Sequence, residues 1–153
     1  MAEGYFQVES RPWFIFGTGE TCTAINRAPS EFNQAPYNAL QIRMDSTRQP
    51  EVSVYFWPDA VPGSMSRIAL SAQPDDAVVL QAKLAVSEIG MVTVTEALPK
   101  EFIRRLESGA RLTVLQAEVP DSKAKTAFDI SDMPQVMMQL QTCAGVLERS
   151  KKG

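Results

Sequence analysis

The chain predicts a mainly β (α+β) fold: an antiparallel β-sandwich or meander of about 8–10 strands, with two helices at about 98–108 and 132–148. Three observations carry this. Apolar and polar residues alternate in several stretches. Turn-forming clusters recur roughly every ten residues. Only two late segments switch to helical spacing.

In chain order, Tyr5–Val8 and Trp13–Phe16 are short β-rich runs, the second opened by Pro12. Gly17-Thr18-Gly19 reads as a hairpin corner, with glycine supplying positive φ, and Cys22–Ile25 follows as the return strand. "NRAPSEFNQAPYN" is a proline-bearing surface loop. In "ALQIRMD", Leu40, Ile42 and Met44 alternate with Ala39, Gln41 and Arg43, the mark of a half-buried strand. After "STRQP", the run "EVSVYFW" returns with Val52, Val54 and Phe56 on one face, making a hairpin. "MSRIALSA", "AVVLQAKLAV" and "MVTVTEAL" are further strands. The middle one carries helix formers too, and is read as a strand from its neighbours and Val78-Val79.

The period then changes. "LPKEFIRRLESG" puts Phe102, Ile103 and Leu106 on one helical face, with Pro99 near the first turn and Gly109 as the C-terminal cap. "RLTVLQAEV" and "KTAFDIS" are strands. The last helix has Ser131 or Asp132 as N-cap and Pro134 in its first turn. Its stripe is Val136, Leu140, Cys143, Ala144 and Leu147. Met133 and Met137 read as core filler, Met138 points elsewhere, and "SKKG" is a frayed tail. With no linker or repeat, residues 1–153 form one β-rich domain.

Composition narrows the function classes. The chain contains no histidine. That removes the commonest general base, Ser-His and Cys-His nucleophile pairs, and His-built zinc sites. A net charge of −3 argues against nucleic acid as the main partner, since phosphate backbones need clustered cations. Lys100, Arg104 and Arg105 lie among Glu101 and Glu107, as on a solvated helix face. No apolar run is long enough to span a bilayer. The start MAEGYFQVES has neither a basic n-region nor an apolar h-region. The expectation is a cytosolic protein, or a mature exported one whose signal was replaced by a start Met.

The glycine corner fails as a phosphate cradle. No Lys-Ser/Thr follows it, the third glycine of a dinucleotide fingerprint would fall at Cys22, and Glu20 would repel phosphate. Ser122 and Lys125 have the S-x-x-K spacing of penicillin-recognising enzymes, but they sit in a loop leading to a strand rather than at a helix start. Asp59, Asp75 and Asp76 follow prolines as turn residues and lack a Ca²⁺-loop pattern. No catalytic, cofactor or metal residue is assigned. Tyr55 and Trp57 alternate against Phe56 at a strand end; on a solvent face they would form an apolar platform. With Met138 they are the candidate partner contacts.

Cys22 and Cys143 both fall on core-facing positions. They are either two unrelated buried thiols or one bridge, which needs Cα atoms within about 7 Å. They lack the C-x-x-C spacing of a redox pair.

Tryptophan ahead of a glycine-containing turn and "CTA", followed later by "EFIRRLESGARLTV" and "FDISDMPQVMMQLQTC", resembles the invasion-associated locus B-like proteins of the bacterial envelope. These anchors cover about a third of the chain, in blocks toward its two ends. Better-known members carry further cysteines near the middle, and this chain has none. The resemblance implies a secreted or periplasmic β-rich protein with a Cys22–Cys143 bond, associated with host invasion or envelope fitness. It carries over no catalytic residues. The resulting expectation is a non-enzymatic envelope protein working through protein or surface contacts, without cofactor. The alternatives are a cytosolic acidic adaptor or secretion chaperone, dimeric through a sheet edge or the final helix, and an enzyme using carboxylates or Ser122 and Lys125.

Overall fold

A computed structural model describes residues 5–10, 13–26, 37–45, 49–57, 65–72, 76–84, 91–108, 114–120 and 125–152. Among these residues ten strands are formed: β1 Tyr5–Ser10, β2 Trp13–Thr18, β3 Thr21–Asn26, β4 Tyr37–Met44, β5 Glu51–Trp57, β6 Met65–Ala72, β7 Asp76–Leu84, β8 Met91–Val94, β9 Val114–Glu118 and β10 Lys125–Asp129. Two helices among the same residues accompany them, α1 Lys100–Ser108 and α2 Met133–Lys152. The protein is mainly β, as the alternation predicts, and the ambiguous Asp76–Leu84 stretch is a strand.

All pairs are antiparallel, in one sheet ordered β1-β2-β3-β4-β5-β8-β7-β6-β9-β10. The first five strands form a meander. The β6–β7–β8 meander then enters in reverse, so that β8 meets β5 and β9 returns to lie beside β6. The order β8-β7-β6-β9 is a Greek-key arrangement. The sheet curls enough for Asn26 at the end of β3 to donate from Nδ2 to the Asp129 carbonyl of β10 at 2.8 Å.

One face of the sheet is the core. Leu40, Ile42 and Met44 of β4 and Val52, Val54 and Phe56 of β5 are buried, as their alternation requires. Helix α2 packs on β1–β4 and against α1. Its predicted stripe, Val136, Leu140, Cys143, Ala144 and Leu147, is entirely buried together with Met133 and Met137. Phe102 and Leu106 bury the inner face of α1. The Trp13 indole N–H is buried without a hydrogen-bond partner, at a cost of about 1–3 kcal/mol.

The predicted boundaries differ at several points. Gly17 and Thr18 lie inside β2, and the corner is Gly19-Glu20, where Gly19 carries a positive φ of 65°. Thr18 pairs with Thr21 across this two-residue turn, for which positive φ matches the strand twist. Helix α1 begins at Lys100 rather than about 98, because the Pro99 carbonyl accepts the first helical bond, from Ile103 N–H at 3.0 Å. In α2 that acceptor is the Asp132 carbonyl, so Asp132 is the N-cap residue. Helix α2 runs to Lys152 instead of stopping at 148 with a frayed tail. No glycine or proline lies between Glu148 and Lys152, and lysines suit the negative end of a helix. Asp76 opens β7 rather than sitting in a turn, paired with Ala72. The Gly109 cap, Asp59, Asp75 and Ser122 lie outside the described residues.

Candidate functional site

The cysteine stripe of α2 meets β3 at a gap left by glycine. Gly17 stands directly opposite Cys22 in the β2–β3 ladder and carries no side chain. A Cβ there would overlap Cys143 Sγ and lie 3.0 Å from Cys22 Sγ. Through this opening Cys143 reaches Cys22, forming a disulfide with a Cα–Cα distance of 6.1 Å across 121 residues of sequence. Both cysteines are fully buried. Of the two readings open at the sequence level, the bridge is the one formed. The role of Gly17 was not apparent from sequence, because a Gly-Thr-Gly run reads as a turn.

The face turned away from α2 carries Tyr55, one of the predicted aromatic contacts. Tyr55 is half-buried there, two residues along from Ser53. Ser53 is buried and shares a 3.0 Å hydroxyl hydrogen bond with Thr93. The Trp57 backbone pairs with Tyr37, while its side chain lies outside the described set. Through the register Phe14–Ile25–Gln41–Ser53, the same face carries Phe14 and Phe16. These rings are half-buried with centroids 5.6 Å apart. Three strand spacings, about 14 Å at ~4.8 Å each, separate β2 from β5. Met138 is 60% exposed on the outer side of α2, which packs on β1–β4 rather than over this face. Tyr55 and Met138 therefore lie on different faces of the molecule. The Phe14–Phe16 pair was legible as alternation against Trp13 and Ile15, once the latter are placed inward.

At the end of the β4–β5 hairpin lies an open polar cleft of about 300 Å³, with Arg43, Glu51, Thr95 and Glu96 in its walls. Arg43 Nη1 lies 3.6 Å from Glu51 Oε1 across the two strands, and both side chains are about half exposed, so the pair holds little energy. Glu96 Oε2 accepts the Gln81 backbone N–H at 3.0 Å, and the Thr95 hydroxyl donates to the Gln81 carbonyl at 3.4 Å. Comparison of the chain with family models, curated proteins and solved structures found no match. The cleft must therefore be judged on its chemistry. Among the described residues, no group of three or more His, Cys, Asp or Glu side chains is placed to hold a metal ion. Its hydroxyls and carboxylates suit recognition of polar or positively charged groups. It was missed at the sequence level because its walls come from the ends of separate strands and the turns beside them, whose meeting depends on strand order.

The remaining candidates are dispersed. Lys125 is exposed in β10 opposite Glu118. Lys100 and Arg104 lie on the exposed side of α1, where Arg104 pairs with Glu101 at 3.1 Å. Asp129 accepts from Ser131 N–H at 2.9 Å and from Ser131 Oγ at 2.7 Å. These two bonds, the backbone one first, hold its carboxyl below the usual carboxylate range against a small desolvation effect. That arrangement is a turn leading into α2.

Proposed function

We propose that this chain is a non-enzymatic domain of the bacterial envelope, periplasmic or secreted, that acts through protein or surface contacts. The observation that carries the reading is the buried Cys22–Cys143 bond. Structural disulfides persist in oxidising compartments, whereas a mesophile cytosol keeps thiols reduced. The resemblance to the invasion-associated locus B-like proteins points the same way and suggests a part in host invasion or envelope fitness. A half-buried aromatic face with Phe14, Phe16 and Tyr55 favours contact over chemistry, since aromatic side chains dominate binding hot spots.

The test is thiol alkylation of protein taken from its native host, before and after reduction, combined with cell fractionation. The expected result is no alkylation until reduction, with the protein in the envelope or medium. Two free thiols in a cytoplasmic fraction would overturn the reading in favour of a cytosolic adaptor.

A further inference from the structure

Strand β8 is too short to finish the sheet. It pairs with β7 only at Ala82, Lys83 and Leu84, whereas β7 pairs with β6 from Asp76 to Lys83. Where β8 stops, the chain turns back onto one residue. Thr95 N–H and Glu96 N–H donate to the Gln81 carbonyl at 3.1 and 3.5 Å, while Gln81 N–H donates to Glu96 Oε2 at 3.0 Å. The backbone groups of Gln81 thus point away from β6. Antiparallel ladders alternate, so those of Val79 and Ala77 point the same way. Among the described residues, no strand lies beside them. Val79 is also 57% exposed. A ladder that no described strand pairs and an exposed β-branched side chain coincide on one short edge, the arrangement that invites strand addition.

We propose that this edge of β7 accepts an extended segment of a partner protein, led by a basic residue or a free amino terminus and added antiparallel to β7. The proposal rests on the contact reading above and names the kind of partner. A strand antiparallel to β7 runs in the direction of β8, so it begins beside Glu96 and passes Val79 toward Ala77. Its leading end meets the Glu96 carboxylate. In the adjoining cleft Glu51 pairs with Arg43, and the negative charge of Glu96 favours a positive lead. Main-chain bonds to Val79 and Ala77 supply affinity, and the Val79 side chain favours an apolar neighbour.

Val79→Pro removes the outward donor but leaves the β6 ladder, in which that N–H has no part. A display library of short random peptides with free amino ends is selected on the wild-type protein, and enriched peptides are synthesised. The expected peptides lead with Lys, Arg or the bare amine and slow amide exchange at Val79 and Ala77. They bind Val79→Pro about tenfold more weakly or worse, and Glu96→Gln several-fold more weakly. Copies N-methylated on alternate amides bind neither, which keeps the test sound if the proline variant fails to fold. Absence of enriched peptides, or undiminished binding to a folded Val79→Pro variant, overturns the proposal. So does a peptide-free dimer with a protected Val79 amide, which assigns the edge to a second copy. An inert edge on oxidised envelope protein leaves the compartment reading standing, whereas a working edge on reduced cytosolic protein does the reverse.

Discussion

A methyl group at Gly17 would collide with Cys143 Sγ and press on Leu147 Cδ1 at 3.3 Å. Gly17→Ala is therefore expected to destabilise the protein by about 1–3 kcal/mol, as overpacked cores do. Chemical denaturation would record a lower midpoint. In a Cys143→Ala background much of the cost should vanish, because the obstructing sulfur is gone; a double-mutant cycle would show this as strong coupling. Asp129 offers a second single-residue test. Its folded pKa is depressed, so its contribution to stability is present above the unfolded carboxylate value and fades as pH falls through the folded one. Ser131→Ala removes the hydroxyl bond and keeps the backbone bond. Carboxyl titration by NMR should show the Asp129 pKa rising part of the way toward normal.

Helix α2 shows what periodicity can and cannot reveal. The buried stripe through Val136, Leu140, Cys143, Ala144 and Leu147 was legible because helical spacing fixes which residues share a face. Neighbouring methionines separate by the same rule: Met137 is buried and Met138 is 60% exposed. Met137→Ala should cost about 2–5 kcal/mol, and Met138→Ala less than about 0.5 kcal/mol, in parallel thermal or denaturant melts. The helix end was less legible, since Ser150, Lys151 and Lys152 neither forbid nor demand another turn. Strand β2 misled at Gly17 for a related reason. Glycine marks turns and close approaches alike, and only the partner sulfur tells them apart.

Among the described residues, each strand was visible in alternation, in a β-rich run or from its neighbours, but the order in which strands pair was not. Periodicity fixes the face a residue occupies and is silent about its neighbour across the ladder. The reversed entry of β6–β8, the Arg43–Glu51–Glu96 cleft and the uncovered β7 edge all follow from that order. The Asn26–Asp129 bond joins the third strand to the tenth through a side chain that is 5% exposed. Asn26→Ala should cost about 1 kcal/mol by removing this partly buried hydrogen bond, seen as a lowered Tm and faster amide exchange in β10. The placement of α2 also sets a schedule. This helix follows the strands it roofs, with a sequence separation of 121 between the linked cysteines. A growing polypeptide consequently carries an oily, unshielded platform until that helix emerges. Products terminated ahead of α2 should clump, because the face it roofs stays open.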